Sequence, residues 1–336
     1  MNRFLLLFAI WIISFCSLTA QDFDTIRICT YNVLNFGGNT NDKINQIRLI
    51  LDQVDADILL VQEIEGSEAY SLFLDSVVGR LAQPLTGPGF LPSSKEQDSY
   101  SAIFLDTSMF TLRRTDVVET VQRAAIAQRL EHKNSGDTII VFTAHWKAGE
   151  ASNDEDIRFN EGSSIQSFIQ FLRTVQRETT NYLLVGGDFN VYSSFDRGYI
   201  RLTDGGGISF YDPLARSGEW HDNETFADIH TQSTRARQFG GGVAGGMDDR
   251  FDQILLTDVL LLNRYVPGSY MTFGNDGQHF NDSINAFPNL AVSLEMAQAL
   301  HDASDHLPVY LDLIFPKSSS SVEESEKERI RRLNLK

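Results

Sequence analysis

Acidic, amide and imidazole side chains stand beside short apolar segments at several distant points of the chain. One such point is Gly186–Asn190, which reads Gly-Gly-Asp-Phe-Asn after the apolar Leu183–Val185, and another is Ser304–His306, which reads Ser-Asp-His before Leu307–Val309. Buried carboxylates are costly unless a metal ion or a cation neutralises them. Such residues at the ends of several strands indicate one metal-assisted site that cleaves a phosphate ester, not scattered surface charges.

Asn32 and Glu63 are candidate metal ligands. Asn32 ends an alternating segment, and Glu63 closely follows the apolar run Ile58–Val61. An amide oxygen can bind Mg²⁺ or hold a carboxylate ligand, and a strand end holds a carboxylate rigidly enough to bind a hard dication. Taken singly, the asparagine is also typical of a turn and the glutamate of an exposed loop.

His145, Asp188 and Asn190 are candidate catalytic residues. His145 follows an apolar segment, and its imidazole can donate a hydrogen bond to a phosphate oxygen or protonate a leaving group. The glycines before Asp188 permit a sharp turn, so we expect Asp188 and Asn190 to reach the same water molecule.

Asp252 begins another apolar segment and needs a partner if it is buried. His306 is the expected partner, because a carboxylate that binds an imidazole fixes its tautomer and stabilises the imidazolium. A surface cluster of Arg250 with Asp248 or Asp249 is the alternative arrangement for this segment.

The order of these residues resembles that of the endonuclease/exonuclease/phosphatase superfamily, which has the deoxyribonuclease I-like fold. The resemblance runs from about Ile26 to Phe315 and rests on the Gly-Asp-Phe-Asn and Ser-Asp-His segments in that order. His145–Gly149 and Met247–Asp252 are similar to secreted bacterial members. The resemblance implies a four-layer α/β sandwich, in which helices flank two packed, mostly antiparallel sheets.

The resemblance also implies roles around a metal ion. Asn32, Glu63 and Asp305 would surround Mg²⁺ or Mn²⁺, with Ca²⁺ as a further alternative. Asp188 and Asn190 would position the attacking water or bind a second ion.

Further roles follow from the same resemblance. His145 and His306 would stabilise the transition state and assist the leaving oxygen, while Asp252 would orient His306. Arg123 and Lys147 would contact the substrate phosphate, although Lys147 is equally typical of a surface position.

The carboxylate that supports His145 in some nucleases has two candidates in the corresponding stretch, Glu96 and Asp98, and the sequence does not decide between them.

Short segments rich in Ile, Val, Leu and Phe predict strands, and apolar residues at helical spacing predict helices over Asp42–Val54 and Ser164–Thr174. This mixture predicts a layered α/β domain. The predicted strands are Ile26–Asn32, Asp57–Val61, Tyr100–Leu105, Thr138–Thr143, Tyr182–Val185, Phe251–Thr257 and Leu307–Phe315.

The composition limits the function classes. The 336-residue chain has a formal net charge of −17, which argues against a protein that grips nucleic acid through its overall field. It does not exclude a site whose metal ions contact the phosphate. The glycine-rich run Gly240–Gly246 lacks the Lys-Ser/Thr ending of a P-loop and is typical of a flexible loop.

The first residues have the pattern of a secretory signal peptide, with Arg3, the apolar stretch Phe4–Phe15 and small residues up to Ala20. We therefore expect a signal peptide over residues 1–20, a catalytic domain over 21–316, a charged tail over 317–336, and a secreted or periplasmic location. An uncleaved anchor is the alternative. Cys29 is expected to be a small buried hydrophobe.

These observations predict a secreted, divalent-metal-dependent phosphodiesterase that hydrolyses nucleic acid, most simply an endonuclease. We expect a monomer without stable membrane insertion. The alternatives are a phosphatase or phospholipid phosphodiesterase of the same superfamily, and a catalytically silent binding module. The net charge keeps the phosphatase open, since a negative surface slows encounter with a polyanion. Zinc fits poorly, because the candidate ligands are mainly oxygen donors.

Overall fold

The structure is a computed structural model that describes residues 21–37 and 41–317. The predicted signal peptide and the tail beyond Lys317 lie outside these ranges. Within them, no helix combines the length and the apolar character needed to cross a membrane.

The described strands form one five-stranded and one six-stranded sheet. In chain order they are β1 (Phe23–Phe36), β2 (Ile58–Ile64), β3 (Tyr100–Leu105), β4 (Phe110–Val118), β5 (Ala125–His132), β6 (Thr138–His145), β7 (Leu183–Asp188), β8 (Phe210–Tyr211), β9 (Asp252–Thr257), β10 (Met271–Thr272) and β11 (Val309–Pro316).

The helices are α1 (Asn41–Val54), α2 (Ser67–Ser76), α3 (Ser152–Thr174), α4 (Arg197–Thr203), α5 (Asp258–Asn263) and α6 (Leu294–Ala303), with 3₁₀ turns at Val78–Arg80 and Glu224–Ile229. Among the α-helix starts that the structure describes, two have a side chain that accepts a backbone N–H. Asp196 accepts from Gly198 at the start of α4, and Ser293 accepts from Met296 at the start of α6.

The five-stranded sheet has the order β10-β11-β1-β2-β3. Its central strands β1 and β2 run parallel, with Asn32 opposite Gln62, while β11 lies antiparallel to β1. The end of β1, the end of β2 and the start of β11 therefore lie at one edge of the sheet. This register brings Asn32, Glu63 and His306 to the same edge.

The six-stranded sheet has the order β4-β5-β6-β7-β9-β8. Strands β6 and β7 are parallel, with His145 opposite Asp188, and β9 is antiparallel to β7, with Asp252 opposite Asp188. The pairing therefore places one histidine and two carboxylates side by side across three neighbouring strands.

Within the described ranges, three buried apolar clusters separate the layers. The first lies between the sheets and contains Ile28, Leu60 and Leu184. The other two lie on the outer faces, one between the five-stranded sheet and α1, α2 and α6, and one between the six-stranded sheet and α3 and α4. The predicted four-layer α/β sandwich is confirmed. Cys29 is fully buried in an outer cluster, as expected.

Some predicted elements were incomplete. Strands β4 and β5 were not predicted. Strand β4 carries charged and half-exposed residues and has no continuous apolar run, and β5 likewise contains charged residues. Helix α3 begins at Ser152, well before the predicted start at Ser164, since its first turns are mainly polar. The alternative prediction of a surface cluster around Arg250 is wrong. Arg250 is 1% exposed, and its guanidinium binds Asp212 with contacts of 2.8 and 2.9 Å.

Candidate active site

The polar residues at the strand ends of both sheets face one another across a cleft. Glu63 and Asn190 both adopt left-handed backbone conformations, with φ of 66° and 50°. Non-glycine residues rarely occupy this region, and they concentrate at functional sites. Gly187 has φ of 150°, and a Cβ there would collide with the carbonyl oxygen of Ala144. The backbone at this position therefore requires glycine. The sharp turn predicted before Asp188 is wrong, because β7 continues through both glycines to Asp188.

Asn32 joins two of the carboxylates. Its amide nitrogen donates to Glu63 Oε1 and to Asp188 Oδ2, both at 3.0 Å, and lies 3.4 Å from His306 Nε2. Its Oδ1 accepts the N–H of Leu34 at 3.0 Å. In this structure Asn32 thus acts as a donor to the candidate ligands, and a direct bond from its oxygen to a metal would require the amide to turn over.

His145 lies against the same carboxylates. Its Nε2 is 3.5 Å from Asp188 Oδ2 and 3.9 Å from Glu63 Oε1. Burial lowers the pKa of His145 well below its usual range, and the positive charges of Arg123 and His306 act in the same direction. His145 is therefore neutral at physiological pH. Its buried Nδ1 has no hydrogen-bond partner among the described residues.

Asp252 binds the second histidine directly. Its Oδ2 is 2.7 Å from His306 Nδ1, and its N–H donates to Thr231 Oγ1 at 3.0 Å. Burial alone would lower the pKa of His306, but the carboxylates of Asp252, Asp188 and Asp305 together raise it well above its usual range. His306 is therefore an imidazolium, in contrast to His145.

Asp305 lies beside this pair but is held by a glycine-rich loop. Its Oδ2 accepts the N–H of Val243 at 2.6 Å, while its Oδ1 is buried without a partner in the described residues and lies 4.0 Å from His306 Nε2. A Cβ on Gly242, whose φ is 74°, would lie 2.6 Å from the Asp305 carboxylate. The run Gly240–Gly246 is therefore packed against the site.

The remaining predicted residues, Arg123, Lys147 and Asn190, each contact a carboxylate. Arg123 binds Asp98 through two contacts of 2.7 Å, so Asp98 pairs with this arginine and not with His145. The side chain of Lys147 lies 3.3 Å from Asp154. Asn190 donates its N–H to Asp188 Oδ1 at 3.0 Å, which orients that carboxylate.

Sequence reasoning missed Gln232. Its amide nitrogen lies 2.8 Å from His306 Nε2 and 3.5 Å from Asp305 Oδ2, and the side chain is buried. Both nitrogens are donors when His306 is charged, so in that state the Gln232 amide must turn over and present its oxygen to Nε2. No apolar strand precedes this residue, so the pattern that pointed to the other candidates was absent. Only the antiparallel bridges from Gln232 to Asp249 and His306 bring it to the cleft.

The site suits a hard divalent cation. Glu63, His145 and Asp188 present ligand atoms within 4.8 Å of one another. Asp305 Oδ1 and Asp252 Oδ1 are buried carboxylate oxygens that lack hydrogen-bond donors among the described residues. Clustered, unsatisfied carboxylate oxygens are the donors that Mg²⁺, Mn²⁺ and Ca²⁺ prefer.

Metal binding should release a proton from Asp188. Burial raises the pKa of this carboxyl to about 7, with Asp252 acting in the same direction and His306 opposing it. Below that pH the carboxyl beside the ion is protonated, so metal affinity should increase as the pH rises towards 7. Calorimetric titration with Mg²⁺ near pH 6, in buffers of different ionisation enthalpy, should show up to about one proton released per ion. A binding enthalpy that is the same in all buffers would contradict this expectation.

A family model matches residues 29–324 and is that of the endonuclease/exonuclease/phosphatase family. The chain belongs to the endonuclease/exonuclease/phosphatase family. The predicted superfamily is thus confirmed over most of the chain, and this membership makes the protein a hydrolase that acts on phosphoester bonds. None of the curated proteins matches it in sequence.

Solved structures share the fold. They include an endonuclease/exonuclease/phosphatase family protein from Bacteroides thetaiotaomicron, with 16% identity over 88% of this chain and 97% of that chain and a TM-score of 0.54. D. rerio TDP2 complexed with a single-strand DNA product has 16% identity over 86% and 98%, with a TM-score of 0.53. A mannosyl-6-phosphatase from Bacteroides thetaiotaomicron VPI-5482 has 16% identity over 86% and 100%, with a TM-score of 0.54. At these identities the likeness shows the fold alone.

Membership in the endonuclease/exonuclease/phosphatase family does not assign roles to single residues of this chain. The structure brings Asn32, Glu63, Asp188, His145 and His306 into one cluster, while the roles predicted for them stay predictions.

Proposed function

We propose that this protein is a divalent-metal-dependent phosphodiesterase that hydrolyses nucleic acid as an endonuclease. The observation that carries the proposal is the position of Asp188 Oδ2, which lies 3.5 Å from His145 Nε2 and 3.7 Å from His306 Nε2. One carboxylate thus stands between a neutral and a charged imidazole. This arrangement supplies a base, a neutral hydrogen-bonding group and an acid within a single cleft.

Glu63 would hold the cation together with Asp305, whose Oδ1 lacks hydrogen-bond donors among the described residues. When bound, such an ion would neutralise charge on the phosphoryl oxygens and on the departing oxygen. The amide of Asn32 keeps Glu63 and Asp188 together and lowers the repulsion between them.

Asp188 is the candidate base for the attacking water. In its ionised form, Oδ2 would accept a proton from the water as the water oxygen attacks phosphorus. The N–H of Asn190 holds the opposite oxygen, Oδ1, and so fixes the direction in which Oδ2 points.

His306 is the candidate acid. Its Nε2–H would donate to a phosphoryl oxygen or to the departing oxygen as the phosphorus–oxygen bond breaks, while Asp252 stabilises the charged ring through Nδ1. The neutral His145 would donate a hydrogen bond from Nε2 to a phosphoryl oxygen. Fixed donors in a cleft of this kind supply several kcal/mol of transition-state stabilisation.

A polynucleotide substrate is supported by the position of basic side chains and by one structural relative. The guanidinium of Arg123 lies near the carboxylates of Asp188 and Glu63, so Arg123 is the candidate to contact a phosphate that flanks the cleaved one. Lys147 would contact a second phosphate by releasing Asp154. The relative from D. rerio was solved with a single-strand DNA product.

A phosphomonoesterase is the second candidate. It is favoured by the net charge of −17, which repels a polyanion, and by a structural relative whose name is mannosyl-6-phosphatase.

A substrate panel tests the two candidates. Purified protein would be incubated with supercoiled plasmid, single-stranded DNA, RNA and a set of phosphomonoesters, with Mg²⁺ and with EDTA. We expect nicking and linearisation of the plasmid with Mg²⁺ and none with EDTA. Release of free phosphate from monoesters, with intact plasmid, would reject the nuclease in favour of the phosphatase.

We also propose that the protein is exported, on the basis of the pattern over residues 1–20. N-terminal sequencing of the protein secreted by its host should begin at Gln21. A mature chain that begins at Met1 would contradict export with cleavage.

A further inference from the structure

Glu161 is a buried carboxylate in the middle of α3 whose two oxygens bind main-chain N–H groups. The residue is 0% exposed. Its Oε2 accepts the N–H of Lys147 at 2.9 Å, and its Oε1 accepts the N–H of Gln122 at 3.4 Å. Burying a carboxylate in a protein interior costs free energy, even when it accepts two N–H groups. The presence of Glu161 therefore indicates a role beyond packing.

The two segments that Glu161 joins both border the cleft. Gln122 directly precedes Arg123, and Lys147 closely follows His145. Between them, the carbonyl oxygen of Trp146 accepts from Arg123 Nη1 at 3.3 Å and from Asn190 Nδ2 at 3.1 Å. The end of β6 is thus tied to the arginine segment, to the Asp188–Asn190 turn and to α3.

The basic side chains around Glu161 form ion pairs with other carboxylates. Arg123 binds Asp98, and the Lys147 ammonium lies beside Asp154. Arg158, the other guanidinium close to Glu161, binds Asp196 at 2.8 Å.

The carboxyl of Glu161 consequently has a pKa near neutral pH. Burial raises the pKa of its carboxyl to about 7, although the N–H groups of Lys147 and Gln122 and the charges of Arg123 and Arg158 oppose the rise. Hydrogen bonds from N–H groups to an ionised carboxylate are stronger than those to a neutral acid.

We propose that Glu161 is a positioning residue. Its carboxylate fixes the position of the Arg123 segment relative to the end of β6, so that Arg123 and His145 face the same phosphate. The inference rests on the proposed function for the roles of these two residues. Glu161 itself does not touch the reacting atoms; it acts through the backbone of its two neighbours.

Activity measurements on Glu161→Gln test the proposal. The amide keeps the shape but presents an NH₂ group to one of the two N–H donors. Because displacements near 1 Å can cost about 10²-fold in rate, we expect kcat/KM on the best phosphoester substrate to fall about 10- to 100-fold. The ratio of wild-type to variant kcat/KM should rise between about pH 6 and pH 8, as Glu161 ionises in the wild type.

The matched control is Glu155→Gln, an α3 glutamate that accepts the N–H of Arg197 outside the cleft. It should keep activity within about twofold of the wild type at every pH, because changes at such a surface site are small. Circular dichroism and thermal melting establish that both variants fold. A Glu161→Gln enzyme with wild-type kcat/KM, or with a loss that is the same at every pH, would overturn the proposal.

A second measurement needs neither a variant nor a substrate. In amide spectra of the wild-type protein, the N–H of Lys147 should shift with a midpoint near the pKa of Glu161, about 7, and should exchange slowly with solvent. An N–H that does not titrate and exchanges as fast as loop amides would reject the contact. Since this result does not depend on hydrolysis, it separates failure of this inference from failure of the proposed function.

Discussion

Glu63→Gln is expected to give a folded protein that has lost about 10³-fold or more of its kcat/KM, since a bound cation contributes several kcal/mol to such reactions. Glu63 is half-buried, and its oxygens accept from the amide of Asn32 at 3.0 Å and from the N–H of Asn35 at 2.7 Å. The replacement removes one ligand charge and turns an NH₂ group towards one of these donors. Mg²⁺ affinity, measured by calorimetry, should fall together with activity.

The control for this prediction is Glu65→Gln, which removes the same charge two residues further along the chain on an exposed side chain. It should bind Mg²⁺ and hydrolyse substrate as the wild type does. Unchanged Mg²⁺ affinity and full activity in Glu63→Gln would remove Glu63 from the mechanism.

Asp252→Asn should have an effect of similar size for a different reason. The asparagine can still contact His306 Nδ1, but it carries no charge and can hold the wrong tautomer, and such a change costs about 10⁴-fold in a related arrangement of carboxylate and imidazole. Removal of the largest stabilising charge should also lower the pKa of His306 towards its ordinary value. In a pH–rate profile, the limb that requires protonated His306 should therefore move to lower pH.

Asp258→Asn is the control at the other end of the same strand. This exposed carboxylate begins α5 and lies outside the cleft. It should leave both kcat and the pH–rate profile unchanged. An Asp252→Asn enzyme whose activity and profile match those of the wild type would show that His306 needs no carboxylate partner.

The pairing of Asp252 with His306 could be anticipated from the sequence, because a carboxylate at the start of a buried strand requires a partner and few imidazoles were available. The structure has this contact at 2.7 Å. The same reasoning was wrong for Arg250, whose partner Asp212 stands in a loop without any preceding motif. A local pattern indicates that a residue needs a partner, but it does not identify a partner that reaches the site from a loop.

Gln232 and Glu161 show the same limit. Gln232 comes to His306 through isolated bridges between loops, and Glu161 lies in the middle of a long helix and binds the main chain of Lys147 and Gln122 beside the cleft. Neither follows an apolar strand, so no sequence signal separated them from the many other polar residues.

The sequence by itself determined the kinds of atom available for chemistry and their positions at strand ends, since apolar runs followed by Asn32, Glu63, His145 and Asp188 are visible in the printed chain. Only the tertiary structure decided which of these atoms meet and in which protonation state. Strand register placed His145 opposite Asp188, and burial with its surrounding charges made one histidine neutral and the other cationic. Both effects depend on contacts between residues that are far apart in the chain, and such contacts are set by the packing of the two sheets.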